Sequence, residues 1–580
     1  MKNKIIYTIL SACLLITWSC TDLEEEVLDE SLTGVGLAEA VSGAIAPAYG
    51  KISRVWRHTN YFGLQEIASD EAILPYRGGT DWFDGGKFIA THSHTMTPTN
   101  GLVKDAWNNL TQNISRTLSA IEVLRPLSEG GDSEAEGALY EMIALRAYLN
   151  MLMLDSWGLV FQKESSSELS TILRGQEAVD YIESELLSVV DVINTNKGPG
   201  RLTQSAVWGF LARLNLNAAV YRDPYGTPNF TSEDMNNVIM YTSNIISSNK
   251  FSLSPEFFEL FEDDNNSNPE LIFALDQRGV ISREHSRWTY WSLPGSLWGR
   301  PEFTSSDGTD GPAMTPDFYQ TWVDAYGAVD PADADNRFYW KRQQIPADME
   351  DLTGLTPLND EDHYYCTTAE EYEFDRGIIR GIPWGPRKDS GGAFFTCDNG
   401  YRIYPVKQIK GNGPDKNVAY VNLTPQVDFT NEGRAHHAGY RYSKYAFSRT
   451  SPNANSFSSI DLVLLRYAEI YMMRAEAKLR SGDNAGALAD VNTVRTSRTA
   501  RAPIPAALTS IDIDRLYQEY GFEFYWEGLR RTNQIRFGHY EDTWTEKTDS
   551  DPKRRLFPIP QSAVDGASNV EGYLDQNQGY

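Results

Sequence analysis

The sequence predicts a mainly α protein: a scaffold of paired helices at both ends of the chain, carrying a long, irregular, loop-rich insertion with short strands. Three observations predict it. Apolar residues step by three or four through Val207, Phe210, Leu211, Leu214, Ala218 and Tyr221, and again through Leu465, Ala468, Met472, Ala475 and Leu479. Between about 255 and 459 that period fades and Gly and Pro punctuate the chain, as in Gly308-Thr309-Asp310-Gly311-Pro312. The chain has 580 residues with 14 Trp, 31 Tyr and 24 Phe, ample for a large core and too aromatic for global disorder.

The N-terminus comes first. Lys2 and Lys4 precede the apolar run 5–16, which is too short to span a bilayer and has the form of a signal-peptide core. It ends at Thr17-Trp18-Ser19-Cys20, with a small residue directly before a cysteine. This resembles the lipobox of a bacterial lipoprotein and implies cleavage after residue 19 and lipidation of Cys20. The acidic tether Thr21-Asp22-Leu23-Glu24-Glu25-Glu26 resembles a surface-export signal, so the expectation is an outer-membrane protein, lipid-anchored and facing the cell exterior. With 52 Lys+Arg against 79 Asp+Glu, the net charge of −27 argues against nucleic-acid binding and against adsorption to anionic lipid.

Helices follow. Residues 138–154 and 205–221 have helical apolar spacing. Near the C-terminus the 465–479 helix stops at Ser481-Gly482-Asp483, and a second begins near Ala485 with Ala487, Leu488, Val491 and Val494 apolar. Helix, Gly-containing turn and helix resemble a tetratricopeptide unit. Such units are not contiguous here, so helix pairs from about 40–254 and 460–580 are expected to form one scaffold. With the insertion at about 255–459, residues 20–580 make a single module. Within the insertion, Tyr401-Arg402-Ile403-Tyr404-Pro405-Val406 alternates like a strand. Cys366 and Cys397 either pair or stay buried thiols.

Four stretches together resemble the SusD/RagB family of surface lipoproteins. They are Glu66-Ile67-Ala68-Ser69-Asp70-Glu71 with the loop from Arg77 to Gly86; Leu464-Leu465-Arg466-Tyr467-Ala468-Glu469 with Arg474-Ala475-Glu476; Glu519-Tyr520-Gly521-Phe522-Glu523 through Arg531; and Leu556-Phe557-Pro558-Ile559-Pro560 near the end. The resemblance implies a non-catalytic protein that captures an oligosaccharide and delivers it to a SusC-like TonB-dependent transporter. Capture of a peptide, as in RagB-like members, and a surface glycoside hydrolase are the alternatives. The charged residues of the second and third stretches read as scaffold, forming solvated or paired helix faces at three-to-four spacing.

A glycan site needs flat aromatics for ring C–H faces and polar groups for hydroxyls. Trp82, set among Gly78, Gly79, Gly85 and Gly86, is the first candidate platform, with Asp70, Arg77 and Asp81 as its polar rim. Trp288, Tyr290, Trp291 and Trp298 form a second candidate cluster. There is no Gly-x-Ser-x-Gly elbow and no His-Glu-x-x-His. No cofactor and no metal is expected: His92/His94 and His436/His437 lack a third ligand, and the acidic run Glu262-Asp263-Asp264 lacks calcium-loop spacing and reads as a solvated turn.

Overall fold

The computed structural model describes residues 37–77, 82–277, 287–409, 416–429, 438–450 and 458–580. Cys20, the leader and Asp81 lie outside these residues, as do His436 and His437.

The scaffold is a continuous stack of helices. After α1 (Leu37–Gly50) come α2 (Gly101–Glu129) and α3 (Ser133–Trp157), then α4 (Gly175–Val189), α5 (Gln204–Tyr221) and α6 (Ser232–Ser247). The C-terminal part adds α7 (Tyr467–Arg480), α8 (Asn484–Arg495), α9 (Ile513–Phe524) and α10 (Arg530–Phe537). Each of α2 to α7 packs on the next, and the junction between α6 and α7 joins the two ends of the chain into one array. The chain is therefore mainly α, and the helices at 133–157, 204–221, 467–480 and 484–495 coincide with the predicted apolar runs. No described helix is long and apolar enough to cross a membrane.

Local chemistry fixes the helix ends. Asp132, Thr203, Thr231, Asp483 and Asp512 each accept a backbone N–H from the first turn of the following helix, satisfying donors that would otherwise be orphaned. From Ala144 to Trp157 every residue of α3 is buried, as befits the central helix. Gly209 lets α5 press against the strand Leu462–Arg466, since a Cβ there would lie 2.4 Å from a Leu465 methyl.

The middle of the chain leaves and returns through one antiparallel ribbon, Leu271–Leu275 with Leu462–Arg466. The returning strand runs straight into α7. Two small antiparallel sheets lie between. One joins Thr396–Cys397, Gly400–Pro405, Tyr365–Thr367 and Trp384–Pro386; the other joins Arg441–Ser443, Arg376–Ile379 and Tyr339–Trp340. They enclose a core of their own around Leu297, Tyr365, Trp384, Ile403 and Leu423. Cys366 and Cys397, on strands flanking Gly400–Pro405, are paired with Cα atoms 6.4 Å apart.

The charged motif residues differ from expectation. Two pairs keep helical spacing, Arg480 with Glu476 and Arg515 with Glu519. Arg474, partly exposed, pairs with Asp490 on the neighbouring helix, and the others are buried and reach across the fold. Arg466 bonds Glu270 (2.8 Å), Glu523 (2.7 Å) and Glu527 (2.8 Å), while Arg498 bonds Glu270 and Glu523, both at 2.6 Å. Arg337 also bonds Glu523 and adds Asp335 and Glu519 to the network. The cluster ties the mouth of the ribbon to α9 and to the loop after it. Three guanidinium groups hold the Glu523 carboxyl well below its usual range despite burial. The acidic run is likewise engaged: Glu262 pairs with Arg342 and Arg376 at 2.6 Å, and Asp263 accepts from Ser448, Ser459 and the Arg449 amide.

Candidate functional site

Four segments converge around Trp82: the helix Tyr61–Ile67 with the turn before it, the loop at 82–86, the helix Arg287–Tyr290 and the loop carrying Thr309. Trp82 itself is half-buried, and its indole N–H donates to Thr309 O at 2.7 Å, which fixes the ring plane. His58, Phe88 and Trp291 meet it edge-on, at centroid distances of 5.3, 6.2 and 5.9 Å. Arg287 lies 5.8 Å from the ring and donates to His58 Nε2 at 3.2 Å. Burial and the neighbouring cations hold His58 well below its ordinary pKa, so it is neutral and accepts that bond.

The backbone here is unusual. Trp82 (φ 38°), Asp84 (φ 44°), Gly85 (φ 69°) and Gly86 (φ 82°) all lie in the left-handed region. A tryptophan in that region costs conformational energy, of order 1–3 kcal/mol, and the Thr309 bond helps hold it. The next residue, Phe83, is 45% exposed and meets Tyr76 edge-on at 5.4 Å. Tyr76, Trp82 and Phe83 thus present an aromatic surface beside the Arg287 cation. No sequence pattern singles out Tyr76 or Arg287, and Phe83 stands in the Arg77–Gly86 stretch without being marked as a ligand contact. The one available signal was adjacency: Phe83 follows Trp82 in the same Gly-rich loop.

The other candidates are placed differently. Asp70 gives its carboxylate to Arg530 (2.7 and 2.8 Å), so it is a structural link to α10 and is not free to form a rim. Arg77 is buried and donates to Gly311 O and Ala438 O, both at 3.1 Å. Trp288, Tyr290 and Trp291 are core residues. Trp288 stacks on Phe62 at 3.9 Å and donates to Trp56 O, while Trp291 packs among Phe62, Phe88 and Trp526. Their faces are covered by neighbours, which corrects the expectation of an exposed aromatic arc. The reason is local: Trp288 and Trp291 lie one helical turn apart at the short helix Arg287–Tyr290 and fall on the face turned to the scaffold.

Trp298 is separate from this cluster. It is also buried, with the Lys388 ammonium 4.5 Å over its ring and Phe394 edge-on at 6.1 Å, and it lines a cavity of about 300 Å³. His92 and His94 are buried and bonded to backbone carbonyls of Ile67, Ala72, Thr545 and Ala68. Among the described residues no group of three or more His, Cys, Asp or Glu could hold a metal ion.

A stack of helix pairs, closed by a two-stranded ribbon around an elaborated middle, defines a helix-repeat class of protein with a loop-rich insertion grafted between repeats. Comparison with known proteins makes this specific. The model of the SusD family matches residues 221–580, and the chain belongs to that family. It is similar to the starch-binding protein SusD of Bacteroides thetaiotaomicron, 25% identical over 477 residues that cover 77% of this chain and 74% of that protein. A SusD-like protein of Bacteroides ovatus is 24% identical over 289 residues, covering 47% of this chain and 50% of that one. Among solved structures, surface glycan-binding protein A from B. thetaiotaomicron in complex with laminarihexaose superposes with a TM-score of 0.62 at 16% identity, over 93% of this chain and 99% of that one. A SusD homolog from the same organism gives 0.64 at 15% identity, over 96% and 99%. These structural likenesses establish the shared fold.

Proposed function

We propose that the protein is a surface glycan-binding lipoprotein, anchored through Cys20 to the outer membrane, that captures an oligosaccharide and passes it to a SusC-like TonB-dependent transporter. The observation that carries this reading is Trp82. A half-buried indole with its N–H tied to Thr309 O, flanked by exposed Phe83 and by Arg287, is a rigid, flat platform at the surface. A sugar ring stacks its C–H face on such a platform, and adjacent polar groups exchange hydrogen bonds with its hydroxyls. Membership of the SusD family supports the reading, as do relatives named for starch and glycan binding. Capture requires complementarity to the ground state alone, so no acid–base constellation is called for.

The test is a panel of oligosaccharides titrated calorimetrically into the purified protein, with reducing ends measured before and after. Binding without new reducing ends is expected, and Trp82→Ala should weaken it at least tenfold. Turnover, or undiminished binding by Trp82→Ala, would overturn the assignment. Labelling of cells with radioactive palmitate should mark the wild-type chain and leave Cys20→Ser unlabelled.

A further inference from the structure

The cavity beside Trp298 has a charge that the rest of the chain does not prepare one for. Arg387, Lys388 and Lys407 border it against a single acid, Asp389, in a protein of net charge −27. Three of these four have work elsewhere. Arg387 makes a two-pronged pair with Asp360 at 2.8 and 2.6 Å, and Tyr420 OH occupies the same carboxylate at 2.9 Å. Lys388 donates to Thr304 O and covers the Trp298 and Phe394 rings. Asp389 accepts from the amides of Gly391 (2.8 Å) and Ala393 (2.9 Å), which builds its own turn.

Lys407 is the remaining one. Its backbone is held by the bridge to Tyr420, and the amides on either side bond Pro383 O and Ala419 O. Its ammonium makes no hydrogen bond or ion pair among the described residues. Burial, and the charge of Arg387 nearby, depress its pKa below the ordinary lysine value against the smaller opposing pull of Asp360. Asp360, the nearby acid, is already engaged by Arg387 and Tyr420, so a further anion in the cavity would complete the charge of this partly desolvated cation. About 300 Å³ is at the small end of the range for small-molecule sites, and Trp298, Pro386 and Val406 supply apolar wall.

We infer that this cavity binds a uronic acid residue of the captured glycan, with Lys407 meeting the carboxylate and the apolar wall facing the sugar ring. The inference rests on the glycan-binding reading and narrows it to acidic glycans. It also gives the middle of the chain a second contact point, apart from the Trp82 surface.

The experiment compares acidic oligosaccharides, oligogalacturonate and hyaluronan fragments, with the same compounds after carboxyl reduction, by calorimetry on the full mature protein. The acid forms should bind at least tenfold tighter, and the preference should shrink as NaCl rises. Lys407→Gln should erase the preference, leave affinity for the reduced forms within twofold and melt no lower than the wild type. Equal affinity for acid and reduced forms, or a preference that survives Lys407→Gln, overturns the uronate site while glycan binding stands. Failure of every oligosaccharide to bind overturns both readings together.

Discussion

Glu66 and Glu71 bury their carboxyl groups against each other beneath the turn Trp526–Gly528. Glu66 Oε1 accepts from the Gly528 amide and Glu71 Oε1 from the Trp526 amide, each at 2.6 Å. Glu66 Oε2 receives no donor from the protein. Two buried carboxylates cannot both stay charged at such a site, so Glu66 is held protonated. Burial pushes both groups up, Glu66 well above the usual range and Glu71 to about 7. The two carboxyl groups thus clasp the N-terminal motif to the aromatic turn, where Trp526 adopts φ 60°.

This pair makes stability pH-dependent in a defined direction. The folded pKa of Glu71 lies above its unfolded value near 4.5. Its contribution is therefore complete below about pH 4.5 and is lost as pH rises through 7. In Glu71→Gln the carboxyl no longer titrates. Between pH 5 and 7.5 the wild-type melting temperature should fall relative to that of Glu71→Gln, by the equivalent of about 2 kcal/mol. Parallel melting curves across that range would refute the raised pKa of Glu71.

Arg466 is the hub of the buried ion cluster. Replacing it with Leu leaves Glu527 with Lys444 as its one cation, and Glu270 and Glu523 each short of one, in a buried cluster of net negative charge. The expected loss is about 3–5 kcal/mol, measured by denaturant unfolding. A loss under 1 kcal/mol would mean that water reaches the cluster.

Asp70 and Arg530 join the first family motif to the third. Asp70→Asn should lower stability by about 3 kcal/mol and leave glycan affinity within twofold when binding is measured well below the melting temperature. A selective fall in affinity would restore Asp70 to the binding rim.

Trp82 and Trp291 touch, yet their substitutions should separate. Trp291→Ala removes a fully buried ring and should cost about 3–5 kcal/mol. Trp82→Ala keeps its Cβ and with it the left-handed strain, and loses one bond and the packing of a half-buried ring, so its melting temperature should fall much less than that of Trp291→Ala while glycan binding falls.

The contrast between those two tryptophans shows how far the residues alone could lead. Helical spacing exposed 205–221 and 465–479 because one face of each must meet an apolar neighbour, and that requirement is written every three or four residues. The alternation at 401–406 revealed the strand Gly400–Pro405 for the same reason. No such period runs through the irregular middle, so nothing in the order of Trp288, Tyr290 and Trp291 tells which way each ring turns. The ionic partners were hidden by distance along the chain: Arg530 meets an acid 460 residues away and Arg466 one 196 away. Helical spacing at Arg466, Glu469 and Glu523 suggested neighbours, where the fold supplied strangers.

The packing of α6 on α7 has a temporal side. Ser232–Ser247 is complete long before Tyr467–Arg480 leaves the ribosome or the export channel, and its apolar face must wait for that partner. The ribbon strand Leu271–Leu275 must wait for Leu462–Arg466 in the same way. Folding of the helical array is therefore gated by arrival of the last fifth of the chain. A truncation before Leu462 should yield an aggregating species that retains helices, in place of a smaller folded protein.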